Sequence, residues 1–369
     1  MFSDGDHQKM QRALELARLG LFTTQPNPRV GCVIAQGHRI VGEGWHRKSG
    51  EAHAEPLALR AAGEDARGAT VYVTLEPHCH RSRTPPCTDA LIKAGVARVI
   101  CATLDFNPQV HGQGVEQLRA AGIQVDIGLM EREARELNAG FEKRMQSGIP
   151  RVTVKIGASL DGRTALGNGE SRWITGIAAR ADVQRLRAAS GVVLTGIGTV
   201  IADDPLLTVR DPAIDTLGRQ PLRGVVDSQL RMPPSARMFK ESGQTVIFTC
   251  THRQDLISAL EEQGANVKQV SAAPDGRVDL NEVLRLLGEL QCNDILVEAG
   301  AVLAGHIVEQ GLADELIVYM APSLLGSQSR PMMQLPPLER LADRLQWRFH
   351  SSEMLGDDLK LVLRAPDLS

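Results

Sequence analysis

Apolar positions recur along this chain with two different periods, and the alternation between them sets the first expectation. Residues 10, 13, 14 and 17 are apolar within DGDHQKMQRALELARLG, the spacing of one helix face, and Gly20 closes the run. QPNPRVG then reads as a turn-rich link into strands over 30–35 and 39–45, joined at Gln36-Gly37-His38. Helices are expected from 53, up to about 94 beyond Pro85-Pro86-Cys87, over 112–121 and over 131–146. Strands are expected over 70–75, 96–102 and 123–127. Strands that alternate with helices predict a sheet covered on both faces, an α/β layer domain.

MQSGIP at 145–150 ends one helix and opens a new strand, so a boundary is drawn between residues 1–147 and 148–369. The second half repeats the rhythm. Strands are expected over 151–158, 191–195, 222–227, 245–249, 294–298, 314–321 and 358–364, and helices over 177–189, 253–263, 279–290 and 302–310. The stretch 327–343, rich in Pro, Met and Ser, reads as loop. At 369 residues, two separate cores are affordable in length.

Composition narrows the class of partner. The net charge is −3 and aromatic residues make up 3% of the chain, so it lacks both the basic face and the stacking platforms of a nucleic-acid binder. Six cysteines are scattered over the length, at 32, 79, 87, 101, 250 and 292, which argues against a disulfide framework and for a reducing, cytoplasmic setting. No run of 18 apolar residues suggests a membrane span, and the N-terminus does not read as a signal peptide.

The candidate chemistry lies between Trp45 and Cys87. His53-Ala54-Glu55 opens a helical run, and the strand over 70–75 stops at Glu76-Pro77, ahead of His78, Cys79 and the Pro85-Pro86-Cys87 corner. A histidine at a helix start, a glutamate two residues on, and further ligands from a later loop are the layout of a mononuclear zinc deaminase. Zinc takes about four ligands at ~2.0–2.3 Å, and a catalytic site leaves one position to water, whose pKa falls to about 7. Cys87 is expected at a helix start, where the dipole favours thiolate. Glu55 is placed to move the water's proton. Alone, a His-x-Glu triplet or two cysteines eight apart would be ordinary; in this order, on these elements, they point to zinc.

PNPRVG (26–31), GWH (44–46), HAE (53–55), TLEP (74–77), RTPPC (83–87), KIGASLDGRTA (155–165), WIT (173–175), ADDPLLTVR (202–210) and VEAG (297–300) resemble the bifunctional riboflavin-biosynthesis deaminase-reductases over nearly the whole chain. The resemblance implies an N-terminal cytidine-deaminase-like three-layer α/β/α domain and a C-terminal dihydrofolate-reductase-like α/β domain. It implies zinc and NADPH as cofactors, a pyrimidine ribose-phosphate substrate and a homo-oligomer. In that family the residue after Glu-Pro is a cysteine ligand; here it is His78, with Cys79 next, and Ser82 stands where glycine is usual. Neighbouring side chains on an extended segment point opposite ways, so either His78 or Cys79 joins His53 and Cys87, and His78 is favoured because it needs no slip of register.

By the same resemblance Asn27, His46, His80 and Arg83 line the deaminase pocket, with Glu55 catalytic. Lys155, Ser171, Trp173, Thr175, Arg187, Asp203, Arg210, Glu298 and Gly300 are implied at the reductase site. Lysine and the two arginines suit a sugar phosphate, and Asp203 suits a proton at the opening sugar ring. Read from the residues alone, Gly196-Ile197-Gly198 lacks the third glycine of a dinucleotide fingerprint, with Ile201 in its place, and a plain strand-end turn is expected there. A second reading keeps the reductase alone, with the first domain a structural module.

Overall fold

A computed structural model describes residues 2–80 and 85–366, and the chain divides into two compact units, Met1–Ile149 and Pro150–Ser369. Unit one starts with α1 (Asp4–Arg18), fixed at its first turn by a capping box in which Ser3 Oγ accepts the Asp6 N–H and the Asp6 carboxylate accepts the Ser3 N–H. Then follow β1 (Gly31–Gln36), β2 (Arg39–Trp45), α2 (Ala54–Ala62), β3 (Thr70–Val73), α3 (Cys87–Ala94), β4 (Arg98–Cys101), α4 (Gln113–Ala120), β5 (Gln124–Ile127), α5 (Glu131–Leu137) and α6 (Ala139–Ser147). The sheet order is β2-β1-β3-β4-β5, with β1 antiparallel to both neighbours and β3, β4 and β5 parallel.

Alternation along β1 makes the three layers. Cys32 and Ile34 face one core with Ala54, Ala58, Leu91 and Leu118 from α2, α3 and α4. Val33 and Ala35 face the other, with Met10, Ala13 and Leu14 of α1 and Ala134 of α5. Both flanking helices come so close that a side chain on the strand would collide: a Cβ at Gly31 would lie 2.0 Å from Ala13 O, and one at Gly44 2.4 Å from Ala54 O. The glycine of GWH therefore seats the helix that carries His53 and Glu55.

The helix expected over 131–146 is two helices. Asn138, between α5 and α6, is buried and turns its amide to the Arg29 backbone, accepting the N–H at 2.8 Å and donating to the carbonyl at 2.9 Å. That pair ties the PNPRVG link to the C-terminal part of the unit and outweighs helical continuity.

Unit two contains β6 (Arg151–Ser159), β7 (Arg163–Ala165), α7 (Ile177–Ala189), β8 (Val192–Gly196), α8 (Ile197–Asp203), β9 (Leu222–Val226), β10 (Thr245–Thr249), α9 (Gln254–Glu261), β11 (Ala265–Gln269), α10 (Leu280–Glu289), β12 (Asp294–Glu298), α11 (Ala301–Glu309), β13 (Glu315–Ala321), β14 (Arg330–Pro331), β15 (Arg348–Leu355) and β16 (Asp358–Arg364). Nine strands form one sheet in the order β11-β10-β9-β8-β12-β6-β13-β16-β15, parallel up to β13 and antiparallel in the last two pairings. The carboxyl ends of the parallel strands share one edge, where open α/β sheets bind ligands. Where a strand-end turn was expected after 196, the short helix α8 forms instead. β7, β11, β14 and β15 were not foreseen. No helix among the described residues is long and apolar enough to cross a membrane.

Candidate active sites

In unit one, three side chains from separate elements converge. His53 is the N-cap residue of α2, and its side chain does not cap the helix. Cys87 is the first residue of α3, after Pro86. His78 lies on the extended segment beyond β3, and its carbonyl accepts the N–H groups of Cys87 at 3.0 Å and Thr88 at 3.3 Å. That pair of hydrogen bonds sets the register of the loop, bringing His78 Nδ1 to 3.1 Å from Cys87 Sγ, while His53 Nδ1 lies 3.4 Å from the same sulfur. The three ligand atoms fall within 4.8 Å of one another. Tetrahedral zinc with nitrogen at ~2.05 Å and sulfur at ~2.3 Å separates such atoms by about 3.6 Å, so the donor set fits the ion in chemistry and in spacing. Cys79 is not in the group; it lies toward Glu76 and Asp105, and burial and their charges raise its thiol pKa.

The electrostatics suit a bound cation. Burial, with the Glu55 charge, pushes the Cys87 thiol well up, and a divalent ion would reverse this by stabilising the thiolate. Burial depresses His53 to about 4, so the ring is neutral and able to ligate near pH 7. Glu55 is 3% exposed, and burial pushes its carboxyl up to about 7, where it can both take and give a proton.

A cavity of about 200 Å³ beside the three ligands is lined by Asn27, His46, His53, Glu55, His78 and His80, among others. His46 Nδ1 lies 3.2 Å from Ala52 O and must carry the ring proton, so Nε2 accepts from the Asn27 amide at 3.0 Å and fixes which way that amide faces. His80 Nδ1 is buried with no partner among the described residues, which leaves it for a ligand. Arg83, with Ser82, lies outside the described residues.

Two further lining residues, Asp105 and Asn107, were missed. They sit on the loop after β4, where no motif marks them; the Asp-x-Asn pattern at a strand's carboxyl end was the available signal. Glu76 holds that loop. Its carboxylate accepts the N–H groups of Asp105 at 3.1 Å, Gly112 at 2.9 Å and Val115 at 3.1 Å, which also caps α4. The glutamate of TLEP is thus an organiser of backbone, two residues from His78.

In unit two, a cavity of about 1670 Å³ runs along the carboxyl edge of the sheet. All nine expected residues line it: Lys155, Ser171, Trp173, Thr175, Arg187, Asp203, Arg210, Glu298 and Gly300. Pockets for one small ligand usually measure about 300–1,000 Å³, so this one has room for a dinucleotide and a sugar phosphate together. Nine cationic side chains line it against five acidic ones, a balance suited to two phosphorylated ligands.

Glu298, at the end of β12, accepts Arg187 Nε at 2.5 Å and Nη2 at 3.0 Å, with Lys155 Nζ at 3.4 Å. Burial alone would raise this carboxyl, but Arg187 and Lys155 outweigh it and hold the group at about 2. Arg187 also gives Nη1 to Thr208 O at 3.1 Å, so its fork is largely committed to the protein. The Arg210 guanidinium hydrogen-bonds Thr208 through Nη1, and Arg210 is the better placed of the two for an anion. Asp203 ends α8, 3.7 Å from Arg172. Trp173 is 70% exposed at the rim, with the Arg180 guanidinium 4.5 Å above its ring, so it is not a core residue. The Gly300 N–H donates to Thr199 Oγ1 at 3.1 Å, so this amide is already engaged.

Two family descriptions match this chain, one in each part. The description "cytidine and deoxycytidylate deaminase zinc-binding region" matches residues 3–103, and "RibD C-terminal domain" matches residues 150–361. The riboflavin biosynthesis protein RibD of Escherichia coli is 50% identical over 369 residues, covering 97% of this chain and 99% of that protein. The solved structure of Acinetobacter baumannii RibD (form 1) superposes with a TM-score of 0.91 at 44% identity, covering 98% of this chain and 99% of the other. That of a diaminohydroxyphosphoribosylaminopyrimidine deaminase/5-amino-6-(5-phosphoribosylamino)uracil reductase from Thermotoga maritima does so with a TM-score of 0.85 at 31% identity, over the same shares.

Proposed function

This chain belongs to the RibD family, the bifunctional deaminase-reductases of riboflavin biosynthesis, and we propose that each activity resides in one part of the chain: deamination in residues 1–147 and reduction in residues 148–369. The substrate is 2,5-diamino-6-ribosylamino-4(3H)-pyrimidinone 5-phosphate, which loses its ring amine as ammonia and is then reduced from ribosyl to ribityl.

The observation that carries the deaminase assignment is the convergence of His53, His78 and Cys87 beside a buried Glu55. These three residues hold zinc, His78 standing in for the family's cysteine. Zinc so held supplies a Lewis acid that lowers the pKa of a coordinated water to about 7. Glu55 moves one proton of the attacking water to the ring nitrogen, then carries the second, from the hydroxyl now on the ring carbon, to the amine, which leaves as ammonia as the carbonyl forms. Asn27, oriented by His46, pairs with the amide edge of the pyrimidine, and His80 and Arg83 contact the rest of the substrate. In the second unit NADPH supplies the hydride. Lys155 and Arg210 orient the sugar phosphate, Ser171 and Thr175 line the same cavity, Glu298 holds Lys155 and Arg187 in place, and Asp203 moves a proton at the opening sugar ring.

Metal analysis with an ammonia-release assay on wild type, His78→Ala, Cys79→Ala and Glu55→Gln tests this reading. Loss of zinc and ammonia release in His78→Ala alone of the first pair, with Glu55→Gln folded but inactive, is expected. Loss confined to Cys79→Ala would replace His78 as ligand, and wild type without zinc or ammonia release would leave only a reductase.

The chain acts in the cytoplasm, in keeping with six cysteines none of which forms a disulfide among the described residues. It works as a homo-oligomer, copies meeting at the edge strand β15, which presents Phe349 (72% exposed) and Met354 (62% exposed). Light scattering on Phe349→Lys is expected to show a smaller species than wild type; equal masses would move the interface elsewhere.

A further inference from the structure

Helix α7 forms one wall of the large cavity, and the groups that hold it in place lie outside that cavity, on the last two strands. Thr175, just before the helix, and Arg180, Gln184 and Arg187 on it are lining residues. Arg180 Nη1 donates to Thr175 O at 2.6 Å, and Gln184 Oε1 accepts the Arg210 N–H at 2.8 Å. Thr175 and Arg210 are therefore placed by α7.

The apolar face of α7 does not by itself say where the helix starts. Ala179 and Val183 pack on Ile317 and Tyr319 of β13, with Leu186, Leu355 and Val362 around them. Apolar burial has no direction of its own, so this contact decides which side of α7 meets the sheet more firmly than its position along the axis.

Two polar contacts from the β15–β16 hairpin supply that position. Gly176 is the N-cap of α7 and has no side chain to cap with. Its N–H donates to Asp358 Oδ2 at 2.6 Å, a carboxylate 182 residues further on, in a residue only 3% exposed. In a capping box that part is played by the N3 side chain, and N3 here is Ala179. The carboxylate also meets the positive end of the helix. The hairpin turn abuts the same end, since a Cβ on Gly356 would lie 3.6 Å from Ala178 Cβ. Further along, Asp182 accepts Tyr319 OH at 2.6 Å and Lys360 Nζ at 2.8 Å, and Lys360 also reaches Glu353 at 3.1 Å. Gly176 and Asp182 are about 9 Å apart along the axis at ~1.5 Å per residue, so the two contacts together fix translation and tilt. Neither Asp358 nor Lys360 lines the cavity.

We propose that Asp358 is a positioning residue of the reduction step: by holding the Gly176 N–H it sets where α7 begins, and so where Thr175 and Arg210 meet the sugar phosphate, without touching the substrate itself. The proposal rests on reading the cavity as the reductase site.

Steady-state reduction by the full chain gives kcat and the KM values of the deaminated pyrimidine and of NADPH. Wild type, Asp358→Ala and Asp358→Asn are compared, with ammonia release measured on the same preparations. Asp358→Ala is expected to raise the pyrimidine KM about tenfold, while kcat, the NADPH KM and ammonia release stay within about twofold of wild type. Asp358→Asn keeps an oxygen for the Gly176 N–H and is expected to bring the pyrimidine KM back to within about twofold. An unchanged pyrimidine KM in Asp358→Ala overturns the proposal, as does an equal rise in both KM values. So does a loss confined to kcat, which is what fewer folded molecules give, or an asparagine variant no better than the alanine one. If Asp358→Ala does not fold, Asp358→Glu, whose carboxylate sits one methylene further from the backbone, takes its place. A pyrimidine KM raised about threefold there supports the proposal, and a wild-type KM overturns it. Wild type that does not reduce the deaminated pyrimidine with NADPH would overturn the reductase reading of the cavity itself, a result distinct from the others because it precedes any substitution.

Discussion

Glu298→Gln tests how the reductase site is held together. The wild-type carboxyl, held at about 2 against an ordinary 4.5 and buried between Arg187 and Lys155, gains stability from being ionised. At 1.36 kcal/mol per pH unit the difference corresponds to about 3 kcal/mol. Glutamine keeps the shape but turns an amide N–H₂ toward two buried cations, and breaking a buried pair from one side costs about 3–5 kcal/mol, in agreement. For a unit of this size, where 1 kcal/mol moves Tm by about 2–4 °C, melting should fall by roughly 6–12 °C at pH 7.

The sign with pH follows from the depressed carboxyl. Its stabilisation is fully present above about pH 4.5 and is lost as pH falls toward 2, so the gap between wild type and variant should narrow over that window. Calorimetry of the full chain at pH 7, 4.5 and 3 measures it. A variant that melts within about 2 °C of wild type at pH 7, or a gap that stays constant down to pH 3, would refute the account of Glu298 as the anchor of the two cations.

Two other substitutions probe the deaminase scaffold. Gly44→Ala puts a Cβ 2.4 Å from Ala54 O and 2.6 Å from Ala58 N, which pushes α2 off β2 and displaces His53 and Glu55. A loss of about 1–3 kcal/mol in urea unfolding, with reduced zinc content by metal analysis, is expected. Asn138→Ala removes both amide bonds to the buried Arg29 backbone and should cost about 3 kcal/mol by the same unfolding assay, even though alanine is the better helix former at that position.

What the sequence disclosed and what it hid have physical reasons. His53 and Cys87 were legible as helix starts because local punctuation decides such positions: an apolar run after His-Ala-Glu, and Pro85-Pro86 before Cys87. Strands β8, β10 and β12 were legible because they are buried on both faces and read as short apolar stretches, and β6 because its apolar and polar residues alternate. β15, whose residues are exposed almost throughout, carries no such pattern, and only pairing with β16 makes it a strand. The break at Asn138 depends on a partner 109 residues away, and the clasp on Glu298 on one 111 residues away, distances at which local pattern says nothing. Lys155, Arg187 and Arg210 were foreseen as a set facing phosphate; the fold spends Arg187 largely on Glu298 instead.

Glu76 links two functions that a protein engineer would want to vary separately. Its backbone leads within two residues to His78, while its carboxylate secures the loop that presents Asp105 and Asn107 to the cavity. A library that randomises residues 105–112 to accept new ring substituents therefore works with two of the three anchoring amides, those of Asp105 and Gly112, which must both be regenerated, or the strain passes to the metal-side strand. Grafting that loop from a relative together with positions 76–78, as one cassette, should retain activity where the loop alone does not.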